Sequence, residues 1–185
     1  MVYSELIVRS FQVVGFVTAS IGDSITRANC YNMGLPHAPK NKLHSAGHLL
    51  DICMRTVGLG NLEPGKGYHF PDGPFVEYKG VVPQNELQGK QKELELDANA
   101  LISRGGKVSA VVLPYAEAVE LCGGCLPDYI PKSSNPRILK LGDNPGCPCG
   151  GTHVSDISEI ISVKVKKKAV QFTDFTVLSH FAVSR

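Results

Sequence analysis

Leu43, Ala46, Gly47, Leu50, Cys53, Met54 and Val57 recur at the three- and four-residue intervals that gather side chains on one helical face. Gly58 and Gly60 stop that run, and the stretch MGLPHAP (33–39) breaks structure before it. A second helix is expected over 84–104, polar on most sides, with Leu87, Leu94, Ala98, Leu101 and Ile102 as its apolar positions and Gly105-Gly106 as its end. Between the two, 68–78 reads as two short strands around a Pro-Asp-Gly-Pro turn. The valine-rich stretch 108–113 predicts a strand, and Pro114 opens a short helix over 115–121 that Gly123-Gly124 closes. Residues 137–141 and 157–165 predict two more strands, separated by a loop dense in Gly, Pro and Cys over 142–151. Residues 1–36 hold β-branched residues without a clear period and read as a strand or two, or as a loosely attached leader. Strands and helices mix without a βαβ rhythm. The expected class is therefore α+β, an antiparallel sheet packed with helices.

At 185 residues and 43% hydrophobic content, the chain can bury a sizeable core. No apolar run approaches the roughly 18 to 20 residues that span a bilayer, so no membrane partner is expected. A net charge of +2 does not by itself announce a nucleic-acid binder. Residues 11–20 are mildly apolar, but Glu5 and the single basic Arg9 before them make a poor signal peptide. The scarcity of acids before residue 40 leaves an organellar transit segment open. Six cysteines, close-paired at 122/125 and 147/149, suggest metal or redox chemistry in a reducing, cytoplasmic compartment more than a disulfide framework.

His44 and His48, four apart in HSAGH, lie one turn apart on the same face of the first helix, where both imidazoles can reach one ion. Cys149 and His153, about a hundred residues later in CGGTH, offer a thiolate and an imidazole across a flexible Gly-Gly bend. Three nitrogens and one sulfur suit tetrahedral zinc, held between the first long helix and the Gly-rich loop. A rival arrangement joins Cys122, Cys125, Cys147 and Cys149 into an all-thiolate knot. Thioredoxin-like chemistry at Cys122/Cys125 is disfavoured, because CGGC follows the predicted helix and does not open one. Peptidase chemistry is also disfavoured: Ser45 stands where an HExxH enzyme keeps its general base. Asp51, about one turn after His48, either orients a ligand or is a solvated helix residue.

The segments HSAGHLLD and CGGTHVSDISEI resemble the paired motifs of alanyl- and threonyl-tRNA synthetase editing domains. The intervening GKGYHFPDGPFVEYKG is similar to the free-standing AlaX-type alanyl-tRNA editing proteins, and the resemblance covers about 36–168. It implies an α+β editing domain that hydrolyses mischarged tRNA(Ala), chiefly Ser-tRNA(Ala) and sometimes Gly-tRNA(Ala). By position, His44, His48, Cys149 and His153 match the family's zinc-site residues. Two departures stand out. No Gly-rich, Gln-containing loop precedes His44, and 169–185 does not read as the usual closing strand. The expected organisation is a leader or partial strand region over 1–36, a zinc-containing editing domain over 37–168 and a divergent tail over 169–185.

The expected function is a zinc-dependent aminoacyl-tRNA deacylase acting in trans. Two alternatives stand beside it: a non-catalytic protein that binds zinc and tRNA, and a zinc hydrolase of another ester or amide. Thr152 either contacts the substrate's serine hydroxyl or serves the turn. Lys164, Lys166 and Lys168 alternate along the last expected strand and share one face, and Lys40 and Lys42 precede the metal helix. They form either an RNA-binding rim or a lysine-guarded strand edge.

Overall fold

The helix carrying the histidine pair, α1, spans Ala38–Thr56 and begins five residues earlier than the apolar spacing indicates. Pro39 lies in its first turn, where the missing N–H has no intrahelical partner to lose, so the proline opens the helix instead of excluding it. The buried face is Leu43, Ala46, Leu49, Leu50, Cys53 and Met54. A computed structural model of the chain describes residues 3–5, 11–13, 38–70, 74–83 and 85–165.

The other elements, in chain order, are β1 (Tyr3–Glu5), β2 (Phe11–Val13), β3 (Glu63–Tyr68), β4 (Phe75–Lys79), β5 (Val81–Pro83) and α2 (Leu87–Arg104). Then follow β6 (Val108–Val112), α3 (Tyr115–Leu121), β7 (Arg137–Leu141), β8 (Cys147–Pro148), a 3-10 turn (Ile157–Ile160) and β9 (Val163–Val165). The fold is α+β, with helices packed on small antiparallel sheets: β1-β5, β2-β9, β3-β4 and β6-β7-β8. One principal core joins α1, α2, β4, β7, the 3-10 turn and β9. A smaller one gathers Ala118, Cys122, Leu126 and Ile138 under α3.

The second helix follows its sequence pattern closely. Its buried residues are Leu87, Leu94, Ala98, Leu101 and Ile102, and Gly105, at φ 69°, closes it. Its polar face has a second task. Asn99 Nδ2 donates to the Val163 carbonyl (2.8 Å), and Asn99 Oδ1 accepts from the Val163 N–H (3.0 Å). Gln91 Nε2 donates to the Val165 carbonyl (2.6 Å), and Glu95 Oε2 accepts the Val165 N–H (2.9 Å). Side chains of a helix thus satisfy one edge of β9, whose other edge pairs with β2. Asn99→Ala would leave a donor and an acceptor of Val163 unmatched in a partly buried place. A loss of about 2 kcal/mol in unfolding free energy is expected by urea denaturation.

Three expectations about strands change. The stretch 157–165 is a strand only at Val163–Val165. Before that, Asp156 caps a 3-10 turn: its side chain accepts from Ser158 N (2.9 Å), while Glu159 Oε1 accepts from Asp156 N (3.0 Å). The Asp-x-x-Glu spacing of this capping box wins over the β-branched composition, and Ile157 and Ile160, three apart, are buried together. Ile161, at φ 76°, ends the turn. The first strand of the hairpin runs Glu63–Tyr68 instead of starting at Tyr68; its Pro and Gly are tolerated because, among the described residues, it is an exposed edge pairing only with β4. Within the expected loop 142–151, Cys147–Pro148 form a short strand against Ile138 and Leu139. The expected Pro-Asp-Gly-Pro turn falls partly outside the described residues, as do most of 1–36 and all of 169–185. Among the described residues, no helix is long and apolar enough to cross a membrane.

Candidate metal centre

Two side chains on α1 and two from the loop after β8 converge where these elements meet. His44 Nε2 and His48 Nε2 are 3.3 Å apart. Cys149 Sγ lies 3.5 Å from His44 Nε2 and 3.3 Å from His153 Nε2. The donor atoms of all four residues lie within 4.8 Å of one another, and the group could hold a metal ion. Among the described residues it is the only such cluster. Cys122 is instead buried under α3 and Cys125 is exposed, so the all-thiolate alternative is not assembled.

The far side of each imidazole is engaged. His44 Nδ1 lies 3.2 Å from the Thr152 carbonyl, which can only accept, so Nδ1 carries a proton and Nε2 is the atom that faces the cluster. His153 Nδ1 meets Ser45 Oγ at 3.3 Å, and Ser45 Oγ also accepts the Val154 N–H at 3.1 Å. His48 Nδ1 faces Asp51 Oδ2 and Cys147 Sγ, each at 3.4 Å. The buried Tyr78 hydroxyl donates to the other oxygen of Asp51. Asp51 therefore braces His48, and is more than a solvated helix residue.

The loop is set by β7. Cys149 N donates to the Arg137 carbonyl (3.0 Å). The Arg137 guanidinium donates to the carbonyls of Cys149 (2.6 Å) and Gly151 (2.9 Å). Gly151 has to lack a side chain: a Cβ there would stand 2.5 Å from His44 Nδ1 and closer still to Cε1. The Gly-Gly bend thus answers a need for space as well as for conformational freedom.

Charge is distributed unevenly in the cluster. Burial alone would push the Cys149 thiol up, but hydrogen bonds from His153, His44 and His48 together outweigh it and bring its pKa down to about 3. For His48, burial favours the neutral ring, yet hydrogen bonds to Asp51, Cys147 and Cys149 raise its pKa to about 12. A thiolate and an imidazolium therefore coexist, and a cation has to displace the His48 proton to reach Nε2. Metal affinity is accordingly expected to rise with pH, by up to about tenfold per unit while His48 remains protonated. Competition with a chromophoric chelator between pH 6 and 8 checks this, and a flat profile would contradict it.

Other expected residues lie around this centre. Thr152 is exposed, and its hydroxyl donates to Asn41 Oδ1 at 2.6 Å, tying the loop to α1. Lys40 is exposed with Nζ 4.7 Å from the Phe70 ring centroid, and Lys42 is half-buried on the same helix. Lys164 is exposed between the buried Val163 and Val165, as alternation requires; Lys166 and Lys168 lie outside the described residues. From sequence, Ser45 marks only the absence of a general base and Cys147 only the all-thiolate alternative, while Arg137, Tyr78 and His69 carry no expected role in the site. His69 stacks on His44, with ring centroids 4.6 Å apart. Burial, then the neighbouring His44 and His48, lower its pKa to about 4. The position directly after the first histidine of the HxxxH motif marks Ser45, and the spacing two before Cys149 marks Cys147. No local signal marks Arg137, Tyr78 or His69, which reach the site from segments distant in sequence.

No family model matches the chain. It is similar to part of the alanine–tRNA ligase of Streptococcus mutans, 26% identical over 159 residues that cover 82% of this chain and 17% of that protein. With the alanine–tRNA ligase of Ligilactobacillus salivarius it shares 30% identity over 149 residues, 76% of this chain and 16% of that protein. With that of Leptospira biflexa it shares 30% over 118 residues, 63% of this chain and 12% of that protein. The chain thus spans less than a fifth of the length of these relatives.

Proposed function

We propose that this chain is a zinc-dependent aminoacyl-tRNA deacylase that acts in trans on mischarged tRNA(Ala), chiefly Ser-tRNA(Ala) and also Gly-tRNA(Ala), as an AlaX-type editing protein. The observation that carries the reading is the convergence of His44, His48, Cys149 and His153. A tetrahedral zinc with bonds of about 2.0–2.1 Å to nitrogen and about 2.3 Å to sulfur separates its donors by roughly 3.3–3.6 Å. The closest donor contacts here, 3.3 to 3.5 Å, fall in that range. A thiolate with three imidazoles favours zinc over magnesium or calcium, which prefer oxygen. Similarity to alanine–tRNA ligases supports the tRNA(Ala) substrate and a cytoplasmic setting.

Bound in this set, zinc would supply Lewis-acid polarisation and orientation at the aminoacyl ester. The chain's own residues do the rest. Asp51 and Ser45 hold two of the imidazoles from behind, and Arg137 fixes the loop that carries Cys149. Because Thr152 gives its proton to Asn41, its oxygen is left as an acceptor, suited to the hydroxyl of a seryl group. A seryl ester gains this bond and an alanyl ester does not, which favours serine over alanine; a glycyl ester also lacks the hydroxyl and is accordingly the poorer substrate. Lys40, Lys42, Lys164, Lys166 and Lys168 would meet the phosphate backbone.

Incubating the purified chain with Ser-tRNA(Ala) and with Ala-tRNA(Ala) tests the reading. Release of serine with alanine retained is the expected result. Binding of tRNA with no release would mark a non-catalytic zinc protein, and neither binding nor release would point to a hydrolase of another ester or amide.

A further inference from the structure

We propose that Phe70 and Lys40 form a landing site for the single-stranded 3′ end of an RNA, with Phe70 stacking a nucleobase and Lys40 pairing with the adjoining phosphate. The proposal rests on the deacylase reading for its choice of RNA end, because that end bears the ester to be delivered to the histidine–cysteine cluster.

The placement follows from two periodicities. Lys40, His44 and His48 are spaced four apart on α1 and share one face, so Lys40 stands one turn before the first candidate ligand. The chain leaving β3 brings His69 onto the ring of His44, and the next residue is Phe70. A stacking aromatic and a cation are thereby placed beside the candidate metal centre from two different elements.

Phe70 does not behave as a core residue. It remains 43% exposed, although a ring of its size gains most from burial. It is held in place nonetheless. The Tyr68 ring lies 4.9 Å from it, centroid to centroid, and Phe75 stacks behind Tyr68 at 5.9 Å. Lys40 Nζ lies over the Phe70 ring, 4.7 Å from its centroid, so a base stacking on that face would move the ammonium to the ring's edge, toward the adjoining phosphate. A braced, solvent-facing ring with a neighbouring ammonium matches what single-stranded nucleic acid requires, because every base has a face to stack and every linkage a negative charge to meet. A peptide added to the exposed β3 edge would be held by main-chain hydrogen bonds and would be indifferent to Lys40 and to the face of Phe70.

Titrating the full chain into a labelled single-stranded oligonucleotide ending in CCA, followed by fluorescence anisotropy, tests the proposal. Phe70→Leu keeps apolar bulk and removes the stacking face, and should weaken binding about tenfold, whereas Phe70→Trp should bind at least as well as the unaltered protein. Lys40→Met should weaken binding and make the salt dependence shallower, by about 0.7 in the slope of log K against log salt. The same oligonucleotide with its end base-paired in a hairpin should bind more weakly. Phe70→Leu binding within twofold of the unaltered protein, or a salt slope unmoved by Lys40→Met, would overturn the proposal. If Phe70→Leu fails to fold, the Phe70→Trp and Lys40→Met arms still decide. The two readings fail separately. Phe70-dependent oligonucleotide binding without serine release would sink the deacylase and leave the landing site. Serine release whose KM is unmoved by Phe70→Leu would do the reverse.

Discussion

Cys149→Ala and His153→Ala are each expected to leave the purified protein with almost no zinc, while Cys122→Ala retains about one equivalent. Each of the first two removes a donor from the four-residue cluster, whereas Cys122 packs under α3 away from it. Losing a partner behind a ligand typically weakens metal binding roughly 10- to 100-fold, and losing the ligand itself should exceed that. Stability should follow, because the cluster joins segments 105 residues apart in sequence. Closing a loop of that length costs about 4 to 5 kcal/mol of chain entropy, which a bound ion offsets by holding both ends. Chelation of the unaltered protein, or either ligand substitution, is therefore expected to lower Tm by about 10 °C in a domain of this size. Elemental analysis with a thermal melt checks both parts. Full zinc occupancy in His153→Ala, or a melt indifferent to chelator, would refute the metal assignment.

Gly151→Ala is the second substitution with a large expected effect, and its neighbour supplies the control. The added methyl would stand 2.5 Å from His44 Nδ1. His44 cannot yield freely, since Nδ1 is bonded to the Thr152 carbonyl and Nε2 belongs to the donor set. Nor can the loop retreat without breaking the two bonds from Arg137. Metal affinity is expected to fall roughly 10- to 100-fold, comparable to disturbing a ligand's support. At Gly150 a Cβ would meet nothing within 4 Å, so Gly150→Ala should bind metal as the unaltered chain does. Metal competition assays on the two variants read the contrast. Equal affinities would show that the close approach at Gly151 does not govern the site.

Local patterns were legible wherever a single segment carried its own instruction. The apolar positions of α2 named its buried face residue by residue, and the glycine after it named its end. The spacing of His44 and His48, and of Cys149 and His153, announced two half-sites. Composition misled at 157–165, where β-branched residues suggested a strand although Asp156 and Glu159 spelled a capped turn. The second edge of β9 was illegible for a different reason: Gln91, Glu95 and Asn99 look like an ordinary solvated helix face until a strand is laid against them.

The sequence by itself determined the two helical faces, the α+β class and the pairs of candidate donors, because neighbours three or four residues apart meet through the geometry of one helix or one bend. Only the tertiary structure decided that Cys149 joins the histidines while Cys122 does not, and that Ser45, Asp51 and the Thr152 carbonyl back the three imidazoles. It alone laid His69 over His44 and set Phe70 beside Lys40. Those contacts join segments far apart along the chain. They exist only once a shared core has fixed how α1, the β3-β4 hairpin and the loop after β8 face one another, which no spacing within a single segment encodes.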